Sequence, residues 1–239
     1  MDTPHSLPIP QCLRCIPARK LEAAKSRLQA SCPTCAGDSR FCAGCAAAAA
    51  VLDRYAEANI PVDYWYRDMR DFVGDPQLAE HYARVADVAK TYDQGAKLCF
   101  AGSHGVGKTM VCCCVLKRAV EKNYSALYTT LTDLVEALLS PDEDRRGVRS
   151  ALLDVDFLCI DEFDPRFMAS PAAADLFGRI VEPMIRHRVQ NLLPLFVCTN
   201  SPNLLKAFSG PLQQSLGSLM NVVSTVAALG SDHRGRNEP

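Results

Sequence analysis

The chain of 239 residues has almost no net charge, no apolar run of membrane length, a single tryptophan and, between Lys206 and Arg234, no lysine or arginine. Each absence excludes something. With 26 Lys and Arg against 27 Asp and Glu, the net charge of -1 leaves no chain-wide basic surface, so any contact with nucleic acid has to come from local patches. The longest apolar run, Ala46 to Leu52, falls far short of the roughly 20 residues that span a bilayer. The first twenty residues mix four prolines with Arg14, Arg19 and Lys20 and lack an apolar segment, which argues against an export signal. The expectation is a soluble cytoplasmic protein with no membrane contact. Hydrophobic residues make up 48% of the chain, enough for the core of one α/β domain plus a small appendage.

Cysteine is plentiful, and its placement speaks against disulfides. Of the twelve cysteines, half fall in the C-x-x-C pairs Cys12/Cys15, Cys32/Cys35 and Cys42/Cys45, and the rest sit in apolar segments. A C-x-x-C turn aims two thiolates at one tetrahedral ion, so the head of the chain reads as a zinc module. Sixteen residues separate the first two pairs, a zinc-ribbon spacing, and six separate the last two, which suits a compact knuckle. Six thiols do not fill two four-cysteine sites. One pair is then spare, or His5 contributes, or two ions share ligands, with free or redox-active thiols as the alternative. Cys112, Cys113 and Cys114 point in three directions around a helix and read as small core residues.

The chemistry is concentrated in three motifs. Gly102-Ser103-His104-Gly105-Val106-Gly107-Lys108-Thr109 is a complete G-x-x-x-x-G-K-T, preceded by the apolar segment 97–101 and followed by a helical segment, 110–122. That order of strand, loop and helix lets backbone N–H groups from Gly102 through Met110 cradle phosphates, with Lys108 reaching the β- and γ-phosphates and Thr109 ligating Mg²⁺. Phe157-Leu158-Cys159-Ile160-Asp161-Glu162 has the form of a Walker B strand. Asp161 would hold Mg²⁺, and Glu162 would polarise the water that attacks the γ-phosphate. Leu195-Phe196-Val197-Cys198-Thr199-Asn200 is a further apolar strand with a polar end, placing Asn200 to orient that water.

Strands at 97–101, 125–130, 157–161, 195–199 and 222–229, alternating with helices, predict a five-stranded parallel sheet with ligand at the carboxyl ends of its strands. Helices are expected over 18–30, 46–59, 76–91, 131–139 and 172–188. The charged stretch 141–149 reads as an exposed loop. The aromatic cluster Tyr64, Trp65 and Tyr66 reads as packing across a boundary. The chain divides into a zinc-binding module (1–45), a helical linker (46–74) and an ATPase domain (75–239).

These motifs, in this order and spacing, resemble the AAA+ ATPases of the DnaC and DnaI helicase-loader type and the IstB-like transposase helpers. The resemblance covers most of residues 55–236. It extends to the paired cysteines followed by a helix and Asn59-Ile60-Pro61, and to Gly230-Ser231-Asp232-His233-Arg234, similar to a terminal G-x-D-x-R turn. It implies a P-loop NTPase (AAA+/ASCE) core with a minimal lid and ATP, Mg²⁺ and Zn²⁺ as cofactors. It further implies self-association, single-stranded DNA as a ligand, a hexameric replicative helicase as partner, and Arg234 as a sensor arginine at the nucleotide. One departure matters: where such ATPases carry an arginine facing the neighbouring subunit's ATP, this chain has Ser218-Leu219-Met220. Either hydrolysis is weak or the arginine comes from elsewhere, Arg186 and Arg188 being the candidates. Three functions follow, namely a helicase loader, a transposase helper, and a nucleotide-gated adaptor with weak hydrolysis.

Overall fold

Apolar runs closed by turn residues build a parallel sheet with helices on both faces. The computed structural model describes residues 16–36, 40–139, 145–164, 171–201, 210–220 and 224–228. Its strands are β1 (Lys97–Gly102), β2 (Ala126–Thr130), β3 (Phe157–Asp161), β4 (Leu195–Thr199) and β5 (Ser224–Ala228). They lie in the order β2-β3-β4-β1-β5, every neighbouring pair parallel. β3 and β4 are buried at every position, which is why their sequences run apolar without alternation.

The helices are α1 (Ala18–Ala30), α2 (Ala43–Glu57), α3 (Pro76–Val85), α4 (Val88–Asp93), α5 (Lys108–Glu121), α6 (Leu131–Leu139), α7 (Arg145–Asp154), α8 (Pro171–Gln190) and α9 (Gly210–Met220). Alternate strand residues feed two cores. Phe100, Cys159 and Phe196 pack with α2, α3 and α5 on one face, and Cys99, Leu158, Ile160 and Val197 pack with α6, α7 and α8 on the other. Among the described residues, no helix is long and apolar enough to cross a membrane.

Three expectations need correction. The single helix over 76–91 is two helices, because the Asp87 side chain accepts the Lys90 N–H at 3.2 Å and so caps a new start. The charged stretch is not loop throughout: from Arg145 it is helical, and Val148, Ala151, Leu152 and Val155 recur at helical spacing and are buried. Residues 141–144 lie outside the described residues. The segment before β5 carries α9, which the apolar pattern alone did not mark.

Residues 52–65 are tied to the core. Leu52, Tyr55, Ala58, Ile60 and Trp65 share the α5 side of the sheet. Trp65 is buried and its indole N–H donates to Ile60 O at 2.7 Å, while Tyr66 is exposed. Ala58 O accepts the Tyr128 N–H at 2.8 Å and the Asn59 amide donates to Tyr128 O at 3.0 Å, so this segment occupies the outer rim of β2. Arg54 reaches the end of α5, donating to Val120 O at 2.8 Å and to Asn123 Oδ1 at 2.7 Å.

Candidate functional site

The site begins where β1 turns into α5. Gly107 has φ +101°, a conformation closed to most side chains, and a Cβ there would lie 2.5 Å from the Phe72 ring. At Gly102 a Cβ would lie 2.1 Å from Ala228 O, because β5 runs hard against the end of β1. Ser103 and His104 are exposed at the tip of the loop. Val106 and Met110 are buried in the α5 core, which leaves only their backbone groups to meet a ligand. Asp75 N–H donates to Val106 O at 3.3 Å, and the same Asp75 accepts the Gln77 N–H to cap α3, fixing the loop to the preceding segment.

Four of the sequence-marked side chains gather at the ends of three strands. Lys108 Nζ donates to Asn200 Oδ1 at 2.9 Å, to Gly102 O at 2.9 Å and to Ser103 O at 2.6 Å. Thr109 Oγ1 donates to Asp161 Oδ2 at 2.7 Å. Since β4 lies between β1 and β3, Asn200 stands between the loop and the Asp161-Glu162 pair. The Glu162 N–H donates to Asp161 Oδ1 at 2.7 Å, and Glu162 is exposed with φ +51°, a strained backbone for a glutamate. Thr109 and Asp161 are the oxygen donors that could hold Mg²⁺, and the loop N–H groups could hold phosphates.

Tyr128 was not marked in the sequence. Its hydroxyl donates to Asp161 Oδ2 at 2.7 Å from the adjacent strand. Burial first, then the Asp161 charge, push its ionisation far above the ordinary tyrosine range, so it stays a phenol and a donor. Register carries that contact: Tyr128 pairs with Cys159 and Thr130 with Asp161, and a single sequence does not display cross-strand register.

The second and third cysteine pairs meet between α1 and α2. The Cys32, Cys35, Cys42 and Cys45 sulfurs lie within 4.8 Å of one another. Cys32 and Cys42 are 3.8 Å apart, and Cys35 and Cys45 3.5 Å. A tetrahedral zinc with bonds of about 2.3 Å requires sulfur separations of about 3.8 Å, so the four fit a closed structural site. The backbone N–H groups of Thr34 and Cys35 lower Cys32 to about 6, readying one thiolate. Cys12, Cys15 and His5 lie outside the described residues, as does Arg234.

The two arginine substitutes separate cleanly. Arg188 is fully buried and donates to Leu152 O, Leu153 O, Asp156 O and Pro194 O at 2.7 to 3.3 Å, so it cannot reach a neighbouring subunit. Arg186 is half exposed, paired with Glu182, and donates to Ser215 Oγ on α9 at 3.0 Å.

The family model described as IstB-like ATP binding protein matches residues 68–189, just over half of the chain. The chain belongs to this family. The match takes in all of the phosphate loop, Asp161 and Glu162. No curated protein matches the sequence of this IstB-like chain. Among solved structures it is similar to DnaI, at 18% identity and a TM-score of 0.58, covering 72% of this chain and 94% of that one. It is similar to the DnaC helicase loader at 16% identity and a TM-score of 0.53, covering 70% and 98%. A replication initiator, DnaA bound to AMPPCP and single-stranded DNA, matches at 18% identity and a TM-score of 0.55, covering 71% of this chain and 50% of that one. At these identities the likeness establishes the fold alone, a parallel α/β sheet carrying a phosphate loop.

Proposed function

We propose that this IstB-like protein is an ATP-hydrolysing helicase loader. The observation that carries the reading is the meeting of Lys108, Thr109, Asp161 and Asn200 beside Glu162, on a sheet whose α5 face also receives the helix leading out of the cysteine head. In this reading Lys108 exchanges its carbonyl partners for the β- and γ-phosphates, and Thr109 and Asp161 hold Mg²⁺. Glu162 takes the proton of the attacking water, and Asn200 orients that water against the γ-phosphate. Arg234 would complete the site as a sensor.

The same reading divides the chain into a metal-holding head (1–45), a linker (46–74) and an ATPase domain (75–239) in a cytoplasmic protein. Zinc on Cys32, Cys35, Cys42 and Cys45 would hold the ends of α1 and α2 together. The head then engages a hexameric replicative helicase, while self-associated ATPase domains grip single-stranded DNA. The fold shared with a helicase loader and with an initiator bound to single-stranded DNA supports it. The test is co-elution of the purified chain with its host's replicative helicase and a change in that helicase's loading on DNA. Neither effect occurring would dismiss the proposal. Filaments on duplex DNA with ATP would instead identify a transposase helper.

A nucleotide-gated adaptor is favoured by one observation. Arg188 is committed to the core and 207–233 carries no lysine or arginine, so few groups remain to neutralise the transferring phosphoryl charge. Glu162→Gln decides between them, since it abolishes loading by an enzyme and spares an adaptor.

A further inference from the structure

Below the nucleotide site the same periodicities bring a second set of side chains together. Cys112 lies four residues after Lys108 on α5, Cys159 two before Asp161 on β3, and Cys198 two before Asn200 on β4. One helical turn and one strand repeat thus reproduce, one layer deeper, the convergence of Lys108, Asp161 and Asn200. All three thiols are fully buried, and their sulfurs lie within 4.8 Å of one another, with Cys112 and Cys198 at 3.3 Å. Cys113 and Cys114, though adjacent in sequence, stand outside the triangle.

We infer that Cys112, Cys159 and Cys198 form a core site for a trivalent thiophilic species, arsenous acid being the simplest. A single atom about 2.3 Å from each of three sulfurs, the length of a metal–thiolate bond, spans edges of up to about 4 Å. The Cys112–Cys198 edge, 3.3 Å, lies inside that span, and the two edges to Cys159, each under 4.8 Å, close onto it with a small movement of one side chain. Charge selects the ion. The surroundings are apolar, with Phe100 and Phe196 in the same core, and Asp161 is the charged group that bears on Cys159 and Cys198 from above. Three thiolates around a divalent ion bury one net negative charge beneath Asp161, and around a monovalent ion two, each costly in such a medium. A trivalent centre buries none. Zinc also asks for a fourth ligand, and among the described residues this group has three.

The reaction needs no oxidant and no charged intermediate in its balance. Arsenous acid carries three hydroxyls. Each thiol forms one arsenic–sulfur bond while one arsenic–oxygen bond breaks, and the thiol proton leaves on that hydroxyl as water. Three waters are released and the oxidation state is unchanged.

The zinc-loaded full chain, kept reduced with a phosphine, is incubated with arsenite and freed of excess by gel filtration. Bound arsenic, its sulfur coordination by X-ray absorption, and the melting temperature are measured for the wild type and for Cys159→Ala, Cys198→Ala and Cys113→Ala. Wild type and Cys113→Ala are expected to hold one arsenic with three sulfur neighbours and to melt at higher temperature with it, since the ligand binds the native state. The other two are expected to lose that equivalent and the shift. Equal arsenic in Cys159→Ala and wild type, or a lowered melting temperature on uptake, overturns the site. Should both core variants fail to fold, the wild type decides alone. Full zinc retention with three-sulfur arsenic upholds the site, and arsenic gained only as zinc leaves overturns it.

Discussion

Tyr128 and Thr109 donate to the same oxygen, Asp161 Oδ2, each at 2.7 Å. The carboxylate is therefore held from the strand beside it and from the first turn of α5 at once. Tyr128→Phe keeps the ring and removes one of those donors. A hydrogen bond to a charged group is worth about 1.5–3 kcal/mol, so kcat/KM for MgATP is expected to fall roughly tenfold to a hundredfold. Steady-state hydrolysis over a magnesium titration measures it. A loss that excess magnesium fully restores would place the effect in metal affinity alone.

Glu162→Gln separates binding from turnover. General-base catalysis contributes typically about 10²–10⁴-fold, so hydrolysis is expected to fall by that order while nucleotide affinity, followed by calorimetry, stays within a few-fold. Lys108→Ala is expected to reverse the pattern, with affinity itself collapsing.

Arg188 holds four backbone carbonyls between α7, β3 and β4. Burial pulls its pKa down to about 9, which still leaves it charged at neutral pH. Arg188→Met would strand those acceptors away from water, and a destabilisation of about 3–5 kcal/mol is expected in urea unfolding. Arg186→Ala, at a half-exposed position, is expected to cost under about 1 kcal/mol.

Chelation of the head is expected to release one zinc for the four sulfurs of Cys32, Cys35, Cys42 and Cys45 and to lower helicity as the turn between α1 and α2 loosens. Metal analysis and far-ultraviolet circular dichroism give the two readings. Cys45→Ala should reproduce both without chelator. Zinc retained in that variant would point to other ligands.

How far the chain could be read depended on the range of the signal. The strands are legible in apolar runs, β3 and β4 being apolar end to end, Asp161, Glu162 and Asn200 because they close such runs, and Lys108 and Thr109 because the G-x-x-x-x-G-K-T pattern names them. α7 was missed because Asp142, Glu143, Asp144, Arg145 and Arg146 surround it with charge while its apolar face needs only Val148, Ala151 and Leu152. The cap at Asp87 was overlooked within a helical pattern that continues through it. Tyr128 and the Cys112, Cys159 and Cys198 triangle depend on register between strands far apart in sequence, which no local window contains.

Ala58 and Asn59 saturate Tyr128 on the outward side of β2. A foreign strand arriving there finds the Tyr128 backbone already hydrogen-bonded, so the middle of this border offers no free rung for a neighbour's main chain. Copies of this chain that meet at that point meet through side chains.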